Sequence, residues 1–170
     1  VEELVERIGA VPGVTAVLPR ITAYATLFDS TVKHALLWGI EADRERAVNL
    51  FNLTDRDDGM NEGRYPESGA NECAIGFELA RKMGLRVGDR LPLKTVSAQF
   101  SDKYWSPTIV GIFAFDYARY DEGVVIVPFD RLSRVLVLGE GTQQLFIYAR
   151  DPRMAPRVKS EVARILGPGN

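Results

Sequence analysis

A single cysteine and a single histidine are present in 170 residues, which removes most of the chemistry that depends on them. With Cys73 alone, no disulfide can form within the chain and no cysteine-based metal site can be built. Its neighbours Ala74 and Ile75 make it an expected small buried hydrophobe. His34, between Lys33 and Ala35 in an extended segment, has no sequence partner for catalysis or metal binding and is assigned neither role. A nucleophile elbow of the GxSxG kind is absent. Also missing is any long hydrophobic run. The densest stretches, "GVVIVPF" and "QLFIYA", have strand length and fall short of a bilayer span. Charge of one sign is lacking too: the formal net charge is -2, with both signs interspersed, so nothing resembles a basic stripe for nucleic acid or a polybasic membrane patch. Neither an initiator methionine nor a signal-peptide layout opens the chain, and the sequence reads as an excised piece of a longer one.

Glycine is present, but not where a phosphate would need it. The stretch "ECAIGFELARKMGLRVGDRLPL" passes from an apolar strand through Gly76 into a helix. Phe77, Glu78 and Leu79 follow, where a dinucleotide-binding turn would place further glycines, and no GxxxxGK[ST] occurs. Gly76 therefore reads as a joint. Leu79, Ala80 and Met83 share one helical face, and Gly84 stands where a helix ends in a left-handed residue.

Apolar periodicity outlines the remaining elements. Val1, Leu4, Val5 and Ile8 form an amphipathic stripe with no cap ahead of it, which suggests a helix continuing upstream. In "VTAVLPRITAYATLF", residues Ile21, Ala23, Ala25 and Leu27 alternate with Thr22, Tyr24, Thr26 and Phe28, the pattern of a half-buried strand with Pro19 at a bulge or an edge. Asp29 and Ser30 turn it into an antiparallel partner, "VKHALLWGI". A short polar helix is expected around Arg44 to Leu50. The acidic segment 52–72 reads as a long loop. Counting from Asp55, Gly59 comes one position too early for a calcium-binding loop and Pro66 replaces its last acid, so calcium is rejected. Strands at 72–75, 90–96 and 107–115 follow, with a helix at 77–83. Residues 97–106 are taken as a hairpin loop between the last two strands, carrying Phe100, Tyr104 and Trp105 as exposed aromatics. "DYARYDE" reads as a charged turn whose acids point to water. Next come the strand "GVVIVPF", a helix with Leu132, Val135 and Leu136 on one face, the strand "TQQLFIYA", and a helix started by Asp151 and Pro152.

This order leaves the two N-terminal strands without covering helices except the first and the last. The expected architecture is α+β and discontinuous: residues 1–52 pair with 141–170, and 60–138 form an inserted, mostly β subdomain.

The motifs "EGRYPESGANECAIGFELARKMGLRVGDRLPL" and "PTIVGIFAFDYARYDEGVVIVPFDRL" resemble, in order and spacing, the extracytoplasmic domain of MacB/FtsX-like ABC transporter permeases, most closely the lipoprotein-release (LolC/LolE) type. Gly63 and Arg64, the run "ELARKMGLRVGD" and the "IVGIF" strand carry the resemblance. It implies a MacB-like periplasmic core domain with a porter-like subdomain built from both chain ends and a sabre-like insertion. It also implies a membrane location with this domain outside the cytoplasm, an ABC ATPase and a second permease subunit as partners, and a lipoprotein cargo or periplasmic chaperone beyond them. The position of loop 97–106 assigns partner binding to Phe100, Lys103, Tyr104 and Trp105. No cofactor, metal or catalytic residue is implied. Two other classes stay open on the residues alone: a free-standing binding module, and an enzyme whose acids Asp116, Asp121 and Glu122 would share a cleft.

Overall fold

The computed structural model describes residues 1–28, 32–48, 60–115, 118–139 and 141–167. Helix α1 (Glu2–Gly9) buries Val5 and Ile8, as its stripe requires. It leads into the long strand β1 (Val14–Phe28), which pairs antiparallel with β2 (Val32–Ile40) from Ile21↔Gly39 to Phe28↔Val32. The turn residues Asp29 and Ser30 lie outside the described residues, as do Asp55 to Gly59 of the acidic loop and Leu50. Helix α2 is Ala42–Ala47, strand β3 is Met60–Gly63, strand β4 is Glu72–Gly76 and helix α3 is Phe77–Met83. The last of these ends as its sequence demands: Gly84 adopts φ 66° and its N–H closes on the Ala80 carbonyl. Strands β5 (Leu93–Val96), β6 (Asp102–Trp105) and β7 (Thr108–Phe113) precede helix α4 (Ala118–Gly123). Strand β8 (Val124–Pro128), helix α5 (Phe129–Leu136), strand β9 (Gln144–Ala149) and helix α6 (Ala155–Leu166) complete the order.

Among the described residues the nine strands form one mixed sheet in the order β3-β7-β4-β8-β2-β1-β5-β6, with β9 attached to β1. The division of labour along β1 organises everything else. Its first half, Val14 to Arg20, pairs with β9, and its second half pairs with β2 and β5. Pro19 stands opposite Leu145, where β1 has β9 on one side only, so its missing N–H costs no ladder bond. Over this first half, Val5, Ile8, Val17, Val158 and Val162 close a small core between α1, α6 and the sheet. The main core lies further along and joins the N-terminal hairpin to the middle of the chain: Ile21, Leu27 and Leu37 with Ile75, Leu79, Leu93, Val125 and Leu132. On the other face of the sheet, Ile40, Ala74, Phe113, Phe115 and Ile126 form a third cluster.

Two sequence expectations are corrected here. Residues 90–96 and 107–115 do not form a hairpin with each other. They meet only at the bridge Arg90↔Thr108, after which β5 departs to pair with β1 while β7 joins β3 and β4. Pro107 contributes only its carbonyl, to Leu91 N–H, and ends the pairing. The charged turn is also not a turn in its described part. Residues 118–123 are helix α4, and Asp121 is buried, accepting the Phe115 N–H at 2.8 Å; Asp116 lies outside the described residues.

That helix explains Gly76. The residue sits at φ −66°, ψ 148°, which any amino acid adopts, so conformation is not the reason for glycine. The reason is room: an added Cβ would stand 2.6 Å from Asp121 Cα and closer still to its carbonyl oxygen. Because the obstacle is backbone, it cannot rotate aside. Gly76→Ala is expected to cost about 1–3 kcal/mol, the range for overpacking a tight interior; an unchanged urea midpoint would refute the close approach.

The Gly63–Arg64 pair has a similarly structural role. Gly63 takes φ +75° against the Val110 carbonyl, and Arg64 then reaches Glu72 with both terminal nitrogens, at 2.8 and 2.7 Å. The Arg64 hydrogen bond holds the Glu72 carboxyl below its ordinary range. A carboxyl depressed in the folded state gives stability that is present above its unfolded pKa and is lost as pH falls through the folded one. Acidification should therefore destabilise the wild type more than Arg64→Met, a difference readable from denaturation midpoints at neutral and strongly acidic pH.

Candidate docking surface on the outer sheet face

The hairpin β5–β6 is short and tightly closed. Ser97 N–H donates to the Ser101 carbonyl and Phe100 N–H to the Ser97 carbonyl, both at 2.9 Å. This closure forces Phe100 to φ 58°. The tip is fastened to the end of α5, where Ala98 N–H donates to the Leu136 carbonyl at 2.9 Å and Gln99 Nε2 to the Val137 carbonyl at 3.3 Å. Val137 is itself at φ 59°. Among the described residues, Phe100 and Val137 are the only non-glycine residues with positive φ, and they occupy two sides of one contact. Such a conformation costs a branched or aromatic residue about 1–2 kcal/mol. The strain is spent on side chains that contribute little to the core: Phe100 is 92% exposed and Val137 48%. Both conformations belong to turns: Phe100 closes the hairpin and Val137 caps the C-terminus of α5.

The hairpin joins β1 with Lys94 opposite Thr26, and Tyr104 opposite Lys94. Strand alternation then decides which side chains reach the same face. Tyr104 (73% exposed) stacks on Phe28 with ring centroids 6.5 Å apart, and Tyr24 (83% exposed) stands four residues back along β1 on the same side. With Val96 and Phe100, these are five of the ten large hydrophobic residues left exposed among the described ones. The concentration matters because scattered exposed apolar residues are ordinary and a contiguous group is not.

Of the four residues assigned from the sequence, Tyr104 lies on this face and Phe100 is exposed at the adjoining hairpin tip. Lys103 and Trp105 do not lie on it. Residues 103 to 105 belong to strand β6, and alternation turns Lys103 and Trp105 the other way. The expectation of an exposed loop tryptophan is overturned: Trp105 is 7% exposed, packs in the main core, and gives its indole N–H to Asn71 Oδ1. The Arg131 guanidinium lies over its ring at 6.0 Å. Tyr24, Phe28 and Val96 were not among the residues assigned from the sequence. For Tyr24 and Phe28 the signal was present as aromatics on the polar side of an alternating strand.

Nothing on this surface resembles a reaction centre. Glu122 pairs with Lys82 at 2.8 Å while Asp121 is turned inward to Phe115, so these two acids share no cleft. Burial pushes the Cys73 thiol well above its ordinary pKa, leaving it inert. No group of residues able to hold a metal ion occurs among the described residues. A separate apolar groove of about 390 Å³ runs between β9 and α6, lined by Ile147, Ala149, Val158, Val162 and Leu166. What flat aromatic and apolar surfaces of this kind can do is bind.

A sequence model of the MacB-like periplasmic core domain matches residues 1–165. The chain belongs to that family. Its fold is similar to the extracellular domain of YknZ, a noncanonic ABC-type transporter of Gram-positive bacteria, with TM-score 0.68 and 16% identity over 97% of this chain and 81% of that one. It is similar also to the periplasmic region of MacB from Actinobacillus actinomycetemcomitans, with TM-score 0.62 and 8% identity over 97% and 72% of the two chains. No curated protein sequence matches it. The MacB-like α+β architecture is thus the one expected, and the domain is the extracytoplasmic part of an ABC transporter permease. Among the described residues, no helix of this MacB-like domain is long and apolar enough to cross a membrane.

Proposed function

We propose that this domain transmits motion of its permease's membrane helices, driven by a cytoplasmic ATPase subunit, to a lipoprotein or other amphiphilic cargo or to a periplasmic partner. The outer sheet face is where that contact is made. The observation that carries the reading is the exposure of Tyr24, Phe28, Val96 and Tyr104 on one face of the sheet, with Phe100 exposed at the hairpin tip beside it. We also read residues 1–52 with 141–170 as the porter-like unit and 60–138 as its sabre-like insertion. The separate core of Val5, Val17 and Val158 supports this, and the shared strand β1 would carry displacement from one unit to the other.

The test uses the full-length permease. Tyr24→Ser combined with Phe100→Ser should leave stability within about 0.5 kcal/mol, as exposed positions do. The same variant should weaken capture of cargo or partner by about tenfold or more, as loss of interface aromatics does. Undiminished capture would refute the assignment. A parent gene without apolar spans of about 20 residues flanking this segment would favour a free-standing binding module.

A further inference from the structure

We propose, building on the docking surface above, that the partner is a protein segment bound in extended form: an acidic strand that adds to the free edge of β6. Strand β6 ends the sheet order and has β5 as its one ladder partner among the described residues. The bond from Ser97 N–H to the Ser101 carbonyl sets which pairs of the hairpin exchange hydrogen bonds. They are Thr95 with Lys103 and Leu93 with Trp105, alternating with the non-bonded pairs Val96–Asp102 and Lys94–Tyr104. Asp102 and Tyr104 therefore turn their backbone N–H and C=O away from β5, offering an incoming strand two donor–acceptor sets at the spacing it needs.

Side chains beside this edge specify the chemistry. On the outer face the strand would lie against Tyr104 and, behind it, Phe28. On the opposite face are three cations around Trp105. Lys103 precedes it on the same side of β6, Arg131 lies over its ring, and Arg90 reaches Ser106 next to it. None of the three is in an ion pair among the described residues, and Arg131 Nε is buried without a hydrogen-bond partner. The acid on β6 itself, Asp102, pairs with Lys94 at 3.2 Å. An edge strand with charged residues commonly discourages pairing, but here the uncompensated charge is of one sign, which selects a complementary segment rather than excluding all. The segment would alternate acidic residues toward Lys103 and Arg131 with apolar or aromatic residues toward Tyr104.

Two short acetylated peptides test this, one of alternating glutamate and tyrosine and one of alternating lysine and tyrosine, titrated against the protein by tryptophan fluorescence. The acidic peptide should bind and the basic one should not. Tyr104→Pro removes an outward N–H together with the ring that stacks on Phe28, is tolerated on an edge, and is compared with Tyr104→Ala, which loses the ring alone. Tyr104→Pro should weaken binding about tenfold relative to Tyr104→Ala, and Lys103→Glu about tenfold relative to the wild type, a factor in the range of one charge-assisted hydrogen bond. Equal binding of both peptides, or binding to a folded Tyr104→Pro protein no weaker than to Tyr104→Ala, would overturn the proposal. The two readings separate in the full-length permease. Capture lost in Tyr24→Ser with Phe100→Ser but retained in Tyr104→Pro sinks edge pairing and leaves the docking surface standing.

Discussion

Removal of the Glu45 carboxylate by Glu45→Ala should lower stability by about 3–5 kcal/mol, the cost of stranding a buried charge. Arg20 and Glu45 form a two-point ion pair, Nε to Oε1 at 2.6 Å and Nη2 to Oε2 at 2.8 Å. The glutamate side chain is 1% exposed and that of the arginine 11%. The guanidinium also lies over Phe146 at 4.4 Å and Trp38 at 5.7 Å, so once Glu45 is gone it has rings beside it and has lost both of its side-chain acceptor bonds to that carboxylate. Pairs this well covered are weakly screened by salt, and the loss should be nearly the same at low and high ionic strength. Replacing both partners, with Arg20→Met and Glu45→Leu, should recover most of it, because the desolvation cost of the pair disappears together with its attraction. Urea unfolding of the three variants decides the matter. A single-variant loss under about 1 kcal/mol would mean that water reaches the pair.

The second large effect separates strand β6 from the tip of its hairpin. Trp105→Ala should cost about 3–5 kcal/mol, the range for deleting a buried aromatic, and it also leaves Asn71 Oδ1 without its donor. Phe100→Ala, five residues earlier, should change stability by no more than about 0.5 kcal/mol. Phe100→Gly should be neutral or stabilising by up to about 1 kcal/mol, since glycine adopts a left-handed backbone without the Cβ penalty. Comparable melting temperatures for Trp105→Ala and Phe100→Ala would contradict the placement of the tryptophan. A joint substitution of Phe100, Tyr104 and Trp105 would therefore confuse binding with unfolding.

How far the sequence could be read follows from how local each determinant is. Helix α3 was legible to the residue, because its apolar face and terminal Gly84 are contained within eight positions. The alternation in β1 was legible for the same reason. Asp151 and Pro152 did start a helical segment, with the Asp151 side chain accepting Arg153 N–H, although its first turn is 3₁₀. Long-range pairing was not legible: β4 lies between β7 and β8, and β2 runs parallel to β8, and no local pattern encodes such neighbours. Trp105 was misread because a tryptophan near Ser and Pro looks like a loop residue until Pro107 is seen to end a strand. Asp121 looked solvated because its partner, the Phe115 N–H, is backbone and leaves no trace in side-chain composition. Two of the five residues of the proposed docking surface, Phe100 and Tyr104, came from the sequence. The other three needed the register between β1 and β5.

The union of β1 with β9 has a consequence for how the domain is made. Thr15 donates to the carbonyl of Tyr148, 133 residues away in the chain, and the core that covers this pairing takes Val158 and Val162 from the last helix. Contacts so distant in sequence pay their loop-closure entropy before any gain returns. During synthesis at about 5–20 residues per second, Val5, Ile8 and Val17 must wait for the final helix before their apolar surface is covered. The middle of the chain can find its own neighbours meanwhile. The closing of these two segments on each other is therefore the expected late step, and a chaperone that shields apolar surface would act there during biogenesis.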